Sequence, residues 1–194
     1  MDFKAFLLRV FTPTPFSLGT SNFGLSTKDS NNKIMKCILF CENAYAFGIL
    51  SPLRDELKKN NFDCLWYIAP KLNNEFPFIK DAHTSNINDL KEYLSDIILV
   101  PGNEVPYFLR GLKVQLFHGL AGEKKGHFKI RHYFDLYLTP GPYFTMRFQE
   151  LSRVYRDFKV VETGWPKFDL CSNKIKKFQN EKSFLLKDYQ AEKI

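Results

Sequence analysis

From Met35 onward the chain alternates short runs rich in Ile, Val, Leu, Phe and Tyr with stretches of helical periodicity, and this alternation constrains the fold most. Six runs read as strands: Lys36–Cys41, Cys64–Ala69, Ile97–Val100, Lys113–Phe117, Phe134–Leu138 and Phe158–Glu162, each bounded by turn-forming residues. Several are apolar at every position instead of every second one, as expected of strands covered on both faces in a parallel sheet. Between them, Leu50, Leu53 and Leu57 recur at helical spacing, with Ser51-Pro52 marking either a start or a kink. Ile87, Leu90 and Leu94 recur the same way behind the capping candidates Ser85 and Asn86. Pro106 is expected to open a short helix closed by Gly111, and Pro142 another running through Phe144, Phe148 and Leu151. The layer and connection rules make this an α/β fold: a Rossmann-like, doubly wound parallel sheet over residues 35–170.

The flanks read differently. Of the 22 residues 12–33, 15 are Ser, Thr, Asn, Gly or Pro, too polar a mixture to order itself around a core. Residues 1–11 form a short apolar run with Lys4 and Arg9 and no following cleavage site, which leaves a membrane-touching helix or a leader without a role. Together, 1–34 is expected to be a flexible leader and linker. Residues 171–194 are charged with a helical pattern, and Phe178, Leu185 and Leu186 are too sparse for a full core face. The longest purely apolar stretches, such as Ile97–Val100, fall far short of a membrane span.

Charge is unevenly placed. Residues 1–109 carry 11 Lys or Arg against 12 Asp or Glu, whereas residues 110–146 carry 6 against 2 and residues 147–194 carry 11 against 7. The positive field of the second half suits an anionic ligand, a phosphate, a nucleic acid or an acidic membrane surface. No RNP-type aromatic motif accompanies the basic residues, so nucleic acid is not the expected partner. The four cysteines, at 37, 41, 64 and 171, show no C-x-x-C and no histidine at ligand spacing. Three lie in apolar runs, where buried reduced thiols are expected, and the pattern fits a reducing, cytoplasmic compartment with no metal site.

In a doubly wound sheet, ligands sit beyond the carboxyl ends of the strands, so polar residues directly after a strand are the candidates. After Lys113–Phe117 come His118 and Gly119, then further glycines at 122 and 126 and the pair Lys124-Lys125, with Lys129 beyond. Glycines expose backbone N–H groups, lysines bring charge for phosphate, and a histidine there can take a proton from a hydroxyl. The alternative is a strand-end histidine bonded to backbone, followed by a solvated basic loop. A second cluster, Thr139-Pro140-Gly141-Pro142-Tyr143, is either an anion contact at a helix start or simply a turn. A third, Gly164-Trp165-Pro166-Lys167-Phe168-Asp169, reads from its chemistry as a stiff exit from the domain. His127 and His132 contribute to a basic surface, and His83 is expected exposed in a polar loop. No G-x-G-x-x-G, P-loop or G-x-S-x-G occurs, and no cofactor is implied.

Taken in order, Gln115-Leu116-Phe117-His118-Gly119, Phe134-Asp135-Leu136-Tyr137-Leu138-Thr139, Phe144 to Phe148 and Gly164-Trp165-Pro166-Lys167-Phe168-Asp169 resemble the CDP-glycerol glycerophosphotransferase family. Its members build teichoic-acid-like polymers and related surface glycans. The match covers roughly residues 113–169, and looser similarity extends back to Met35. It departs in having Phe117 where the family has Trp, and Leu120-Ala121 where Thr-Pro often follows His-Gly. The resemblance implies His118 as general base, and Gly119, Lys124, Lys125, Lys129 and Thr139 as substrate-binding residues. Gly164, Trp165, Pro166, Lys167 and Asp169 would form the interdomain linker motif, with no metal. It implies CDP-glycerol as donor, held mainly by a second domain outside this sequence, and an anionic or lipid-linked polyol or glycan as acceptor. The chain would be the N-terminal half of a GT-B-like transferase at the inner face of the cytoplasmic membrane, releasing no CMP by itself. Two other readings stand beside it: a non-catalytic basic binding module for anionic polymer or lipid, and half of a GT-B enzyme using a UDP-sugar.

The boundary drawn at residue 34 has a direct test. Limited proteolysis should remove the N-terminal segment and leave a resistant fragment beginning near Met35. Protection of residues 12–33 equal to that of the strands would show the boundary to be misplaced.

Overall fold

The computed structural model describes residues 34–119, 126 and 128–168. Residues 1–33, 120–125 with Lys124 and Lys125, His127, and 169–194 with Asp169 and Cys171 lie outside the described residues. Seven strands form one all-parallel sheet: β1 (Lys36–Cys41), β2 (Asp63–Ile68), β3 (His83–Thr84), β4 (Ile97–Val100), β5 (Leu112–Leu116), β6 (Leu136–Thr139) and β7 (Lys159–Glu162). Their spatial order is β3-β2-β1-β4-β5-β6-β7. Among the described residues three α-helices flank the sheet, namely α1 (Phe47–Lys59), α2 (Ile87–Tyr93) and α3 (Pro142–Tyr155). The architecture is the Rossmann-like doubly wound α/β fold.

Apolar character on both faces of the strands produces two cores. In β1, Cys37, Leu39 and Cys41 face the layer that holds α1, while Ile38 and Phe40 face the layer that holds α2 and α3. Strand β4 divides the same way, with Ile97 and Leu99 on the first side and Ile98 and Val100 on the second. The first layer is filled by Leu50, Leu53 and Leu57 of α1 and by an aromatic group around Trp66, whose ring lies 5.5 Å from Phe76 and 5.4 Å from Phe78. Asp81 closes this group from outside, accepting from Arg54 at 2.7 Å, Lys58 at 2.6 Å and the Trp66 indole at 3.3 Å. The second layer stacks Phe117, Tyr137, Phe148 and Phe158. Cys37, Cys41 and Cys64 are buried free thiols, and burial pushes Cys41 and Cys64 up to about 12. Among the described residues no helix is long and apolar enough to cross a membrane.

Two aspartates at the amino ends of strands set the pairing. The Asp96 carboxylate accepts the Lys36 N–H at 2.8 Å, and the Asp135 carboxylate accepts the Lys113 N–H at 2.8 Å. Each aspartate also donates its own N–H to the carbonyl of the same partner residue, at 2.9 Å in both cases. The first pair starts the β1–β4 ladder and the second the β5–β6 ladder.

Several expectations need correction. The described residues hold seven strands, not six, because two-residue β3 is too short to show any periodicity; His83 is exposed, but on this edge strand and not in a loop. Helix α1 begins at Phe47, so Pro52 is interior to it and does not mark its start. Asn86 caps α2 by accepting the Asn88 N–H at 3.1 Å. Leu94 lies past the end of α2 in the left-handed region at φ 52° and is exposed, so it does not belong to the apolar stripe. Phe134 and Asp135 precede β6.

The expected helix from Pro106 to Gly111 is an irregular turn holding the Leu109 N–H to Pro106 carbonyl bond at 3.2 Å. A backbone group that a helix could use is engaged elsewhere, since the Arg110 carbonyl is taken by the Ser95 hydroxyl at 2.9 Å. Gly111 serves a different purpose from a helix stop. Its φ is +109°, and a Cβ there would stand 2.6 Å from the Ser95 carbonyl oxygen. Gly111→Ala is therefore expected to cost about 2 kcal/mol or more in urea denaturation. Gly119→Ala, with no described atom within 4 Å of its Cβ and φ outside the left-handed region, should stay within about 0.5 kcal/mol of wild type.

Candidate functional site

The winding reverses between β1 and β4, which are neighbours in the sheet though separated in sequence by β2 and β3. The connection leaving β1 packs on one face, and the chain beyond β4 packs Val105 and Leu109 on the other. A crevice therefore opens over the carboxyl ends of these two strands, the usual ligand position in such folds. Three chain segments line it: Glu42 to Tyr45 after β1, Pro101 to Glu104 after β4, and Phe117 to Gly119 after β5.

His118 is positioned from both sides. Preceding it, Phe117 is buried against Phe144 and Phe148, with ring centroids 5.1 and 5.2 Å away. Its own Nδ1 lies 2.9 Å from the Pro101 carbonyl oxygen. A carbonyl can only accept, so Nδ1 carries the hydrogen, and the lone pair of the neutral imidazole resides on Nε2. The Tyr45 ring lies 4.9 Å from the imidazole, tilted by 33°. Beside His118, Gly119 has no described atom within 4 Å of where a Cβ would stand. An imidazole held in this tautomer can accept a proton from a hydroxyl placed at Nε2.

The β1 side of the crevice carries acid. The Glu42 Oε2 lies 3.6 Å from the position of a Cβ on Gly102, so this side chain reaches from β1 across to the turn after β4. Burial holds its carboxyl above the ordinary range, with nearby Glu104 adding and Lys71 opposing. Lys71 donates to the Asn43 Oδ1 at 3.0 Å. Glu104 faces the Arg131 guanidinium at 4.0 Å, which brings a basic side chain to the same rim. Burial likewise raises the Tyr45 hydroxyl.

The structure gathers some of the expected residues and disperses others. Trp165 is close: its indole N–H donates to the Phe117 carbonyl at 2.9 Å, tying the exit segment to the strand end that bears His118. Gly164, at φ +82°, makes the bend that lets it return, Pro166 is buried, and Lys167 lies over the Trp165 ring at 5.7 Å. Thr139 is fully buried, its hydroxyl 2.7 Å from that of Thr145 and 3.3 Å from the Val161 carbonyl, so it braces the β6–α3 turn. Thr145 in turn reaches Glu162 at 2.7 Å. Lys129 is exposed beyond Gly126. His132 pairs with Asp157 beside the amino ends of β6 and β7, away from the crevice. Glu42, Asn43, Tyr45 and Glu104 were not singled out by sequence reasoning. The signal was present: they follow the tips of β1 and β4 as His118 follows β5.

Among the described residues no group of three His, Cys, Asp or Glu side chains could hold a metal ion. No family model, no curated protein and no solved structure matches this chain.

The raised Glu42 carboxyl has a stability consequence with a definite sign. The folded state binds this proton more tightly than the unfolded chain, so stability falls as pH rises through the ordinary carboxylate range. Glu42→Gln should melt at a higher temperature than wild type at pH 7, and the difference should close below about pH 4, where both states are protonated. Equal melting temperatures at pH 7 would show that the carboxyl is not held in a disfavoured ionised state.

Proposed function

We propose that this chain is the acceptor-side part of a CDP-glycerol-type glycerophosphotransferase. It would help transfer glycerol phosphate from CDP-glycerol to a hydroxyl of a surface polysaccharide or teichoic-acid-like acceptor. The observation that carries the reading is the hydrogen bond from His118 Nδ1 to the Pro101 carbonyl beside the winding reversal. In the proposed step, His118 Nε2 takes the proton of the acceptor hydroxyl. The acceptor oxygen forms a bond to the β-phosphorus, the bond between that phosphorus and the bridging oxygen breaks, and CMP leaves with the electron pair.

The motif order along residues 113–169 supports this reading, as does the Trp165 contact that joins two of its motifs in space. Lys129, together with Lys124 and Lys125 outside the described residues, supplies positive charge for an anionic acceptor or for the transferring phosphoryl group. Glu42 and Glu104 put acid beside the turns after β1 and β4, where Arg131 faces Glu104 and offsets part of that charge. The excess positive charge of residues 110–194 would draw the chain to the anionic inner face of a cytoplasmic membrane.

The assay combines the chain with a nucleotide-binding domain of the resembled family, CDP-glycerol and a polyol-phosphate acceptor, and measures released CMP. His118→Ala should lower the rate about 100-fold or more, the usual worth of a general base. A loss smaller than about tenfold would overturn the role of His118, and absence of CMP release by wild type with every acceptor would count against the transferase reading.

A further inference from the structure

We infer that Gln115 is a positioning residue that keeps the His118 proton on Nδ1 by clamping the turn to which His118 is bonded. The inference rests on the reading of His118 as the base. Gln115 lies inside β5, paired with Val100 of β4 on one side and Tyr137 of β6 on the other, and is 6% exposed. A carboxamide at such a position destabilises the sheet unless its hydrogens find acceptors. Here both do: Nε2 donates to the Gly102 carbonyl at 2.9 Å and to the Asn103 Oδ1 at 3.0 Å. Because a carbonyl only accepts, the Gly102 contact fixes which end of the carboxamide faces the turn.

The adjacent residue of that turn is Pro101, whose carbonyl takes the Nδ1–H of His118. Pro101 has no N–H with which to anchor itself. The strand therefore grips one turn twice, through Gln115 at Gly102 and Asn103 and through His118 at Pro101. Removing the Gln115 contacts would let the Pro101 carbonyl turn away, and the imidazole proton would then redistribute between its two nitrogens. Buried within the sheet, Gln115 acts through the turn and not on substrate.

The test reads the imidazole directly in the full chain. Nitrogen-15 NMR of the histidine rings at neutral pH, with His118 assigned by its loss in His118→Gln, distinguishes the two tautomers. Wild type should show predominantly the Nδ1–H form. In Gln115→Leu that form should fall to half or less, and in Asn103→Ala, which removes one of the two contacts, it should fall partway. Asn103→Ala keeps the test decisive if Gln115→Leu does not fold. Retention of the full wild-type Nδ1–H share in a folded variant would overturn the positioning role while leaving the His118 base reading intact. A predominantly Nε2–H ring in wild type would overturn both.

Discussion

Strands that are apolar on both faces cannot leave either face in water, and everything else in this molecule follows from that requirement. One helical layer would leave Ile38, Phe40, Ile98 and Val100 exposed. A second layer is obligatory, and the chain reaches it only by reversing its winding after β3. The reversal parts the loops that follow β1 and β4 and creates the crevice. Thus the hydrophobic pattern that stabilises the sheet also fixes where a ligand can enter.

The parts of this arrangement that were legible in the sequence are those carried by periodic burial. Strands β1 and β4 and the apolar stripes of α1 and α3 could be placed to within a few residues, because two cores demand apolar side chains there. Strand β3 left no such trace, since His83 and Thr84 are polar and number only two. The stretch from Pro106 to Gly111 misled for a related reason. Its proline and glycine are helix punctuation in sequence, but the glycine answers a close approach of the Ser95–Asp96 backbone that only the folded chain brings about. The candidate site divides along the same line. His118 could be found from its place after a strand, whereas Tyr45 and Pro101 come from segments 73 and 17 residues away.

His118 also shows why a structural and a chemical reading of one residue need not compete. A strand-end histidine bonded to backbone was the plain alternative to a general base. The bond to the Pro101 carbonyl is such a contact, and the same bond places the lone pair of the neutral ring on Nε2. The indole of Trp165 extends the pattern, since a residue read as a stiff exit from the sheet bonds to the carbonyl immediately before the histidine. Packing and hydrogen bonding that serve stability here also fix an orientation.

The two-residue β3 has a consequence of another kind. An open parallel sheet ends in a strand whose outer N–H and C=O groups can recruit a strand from another molecule, and the hazard grows with the length of that edge. At this margin the ladder stops after His83 and Thr84. The Thr84 hydroxyl is turned to the Asp89 carboxylate and to the Asn86 N–H, and the chain bends at once into α2. So little exposed ladder offers almost no template for intermolecular growth, and crowding along this edge should not convert a stack of such sheets into a fibril.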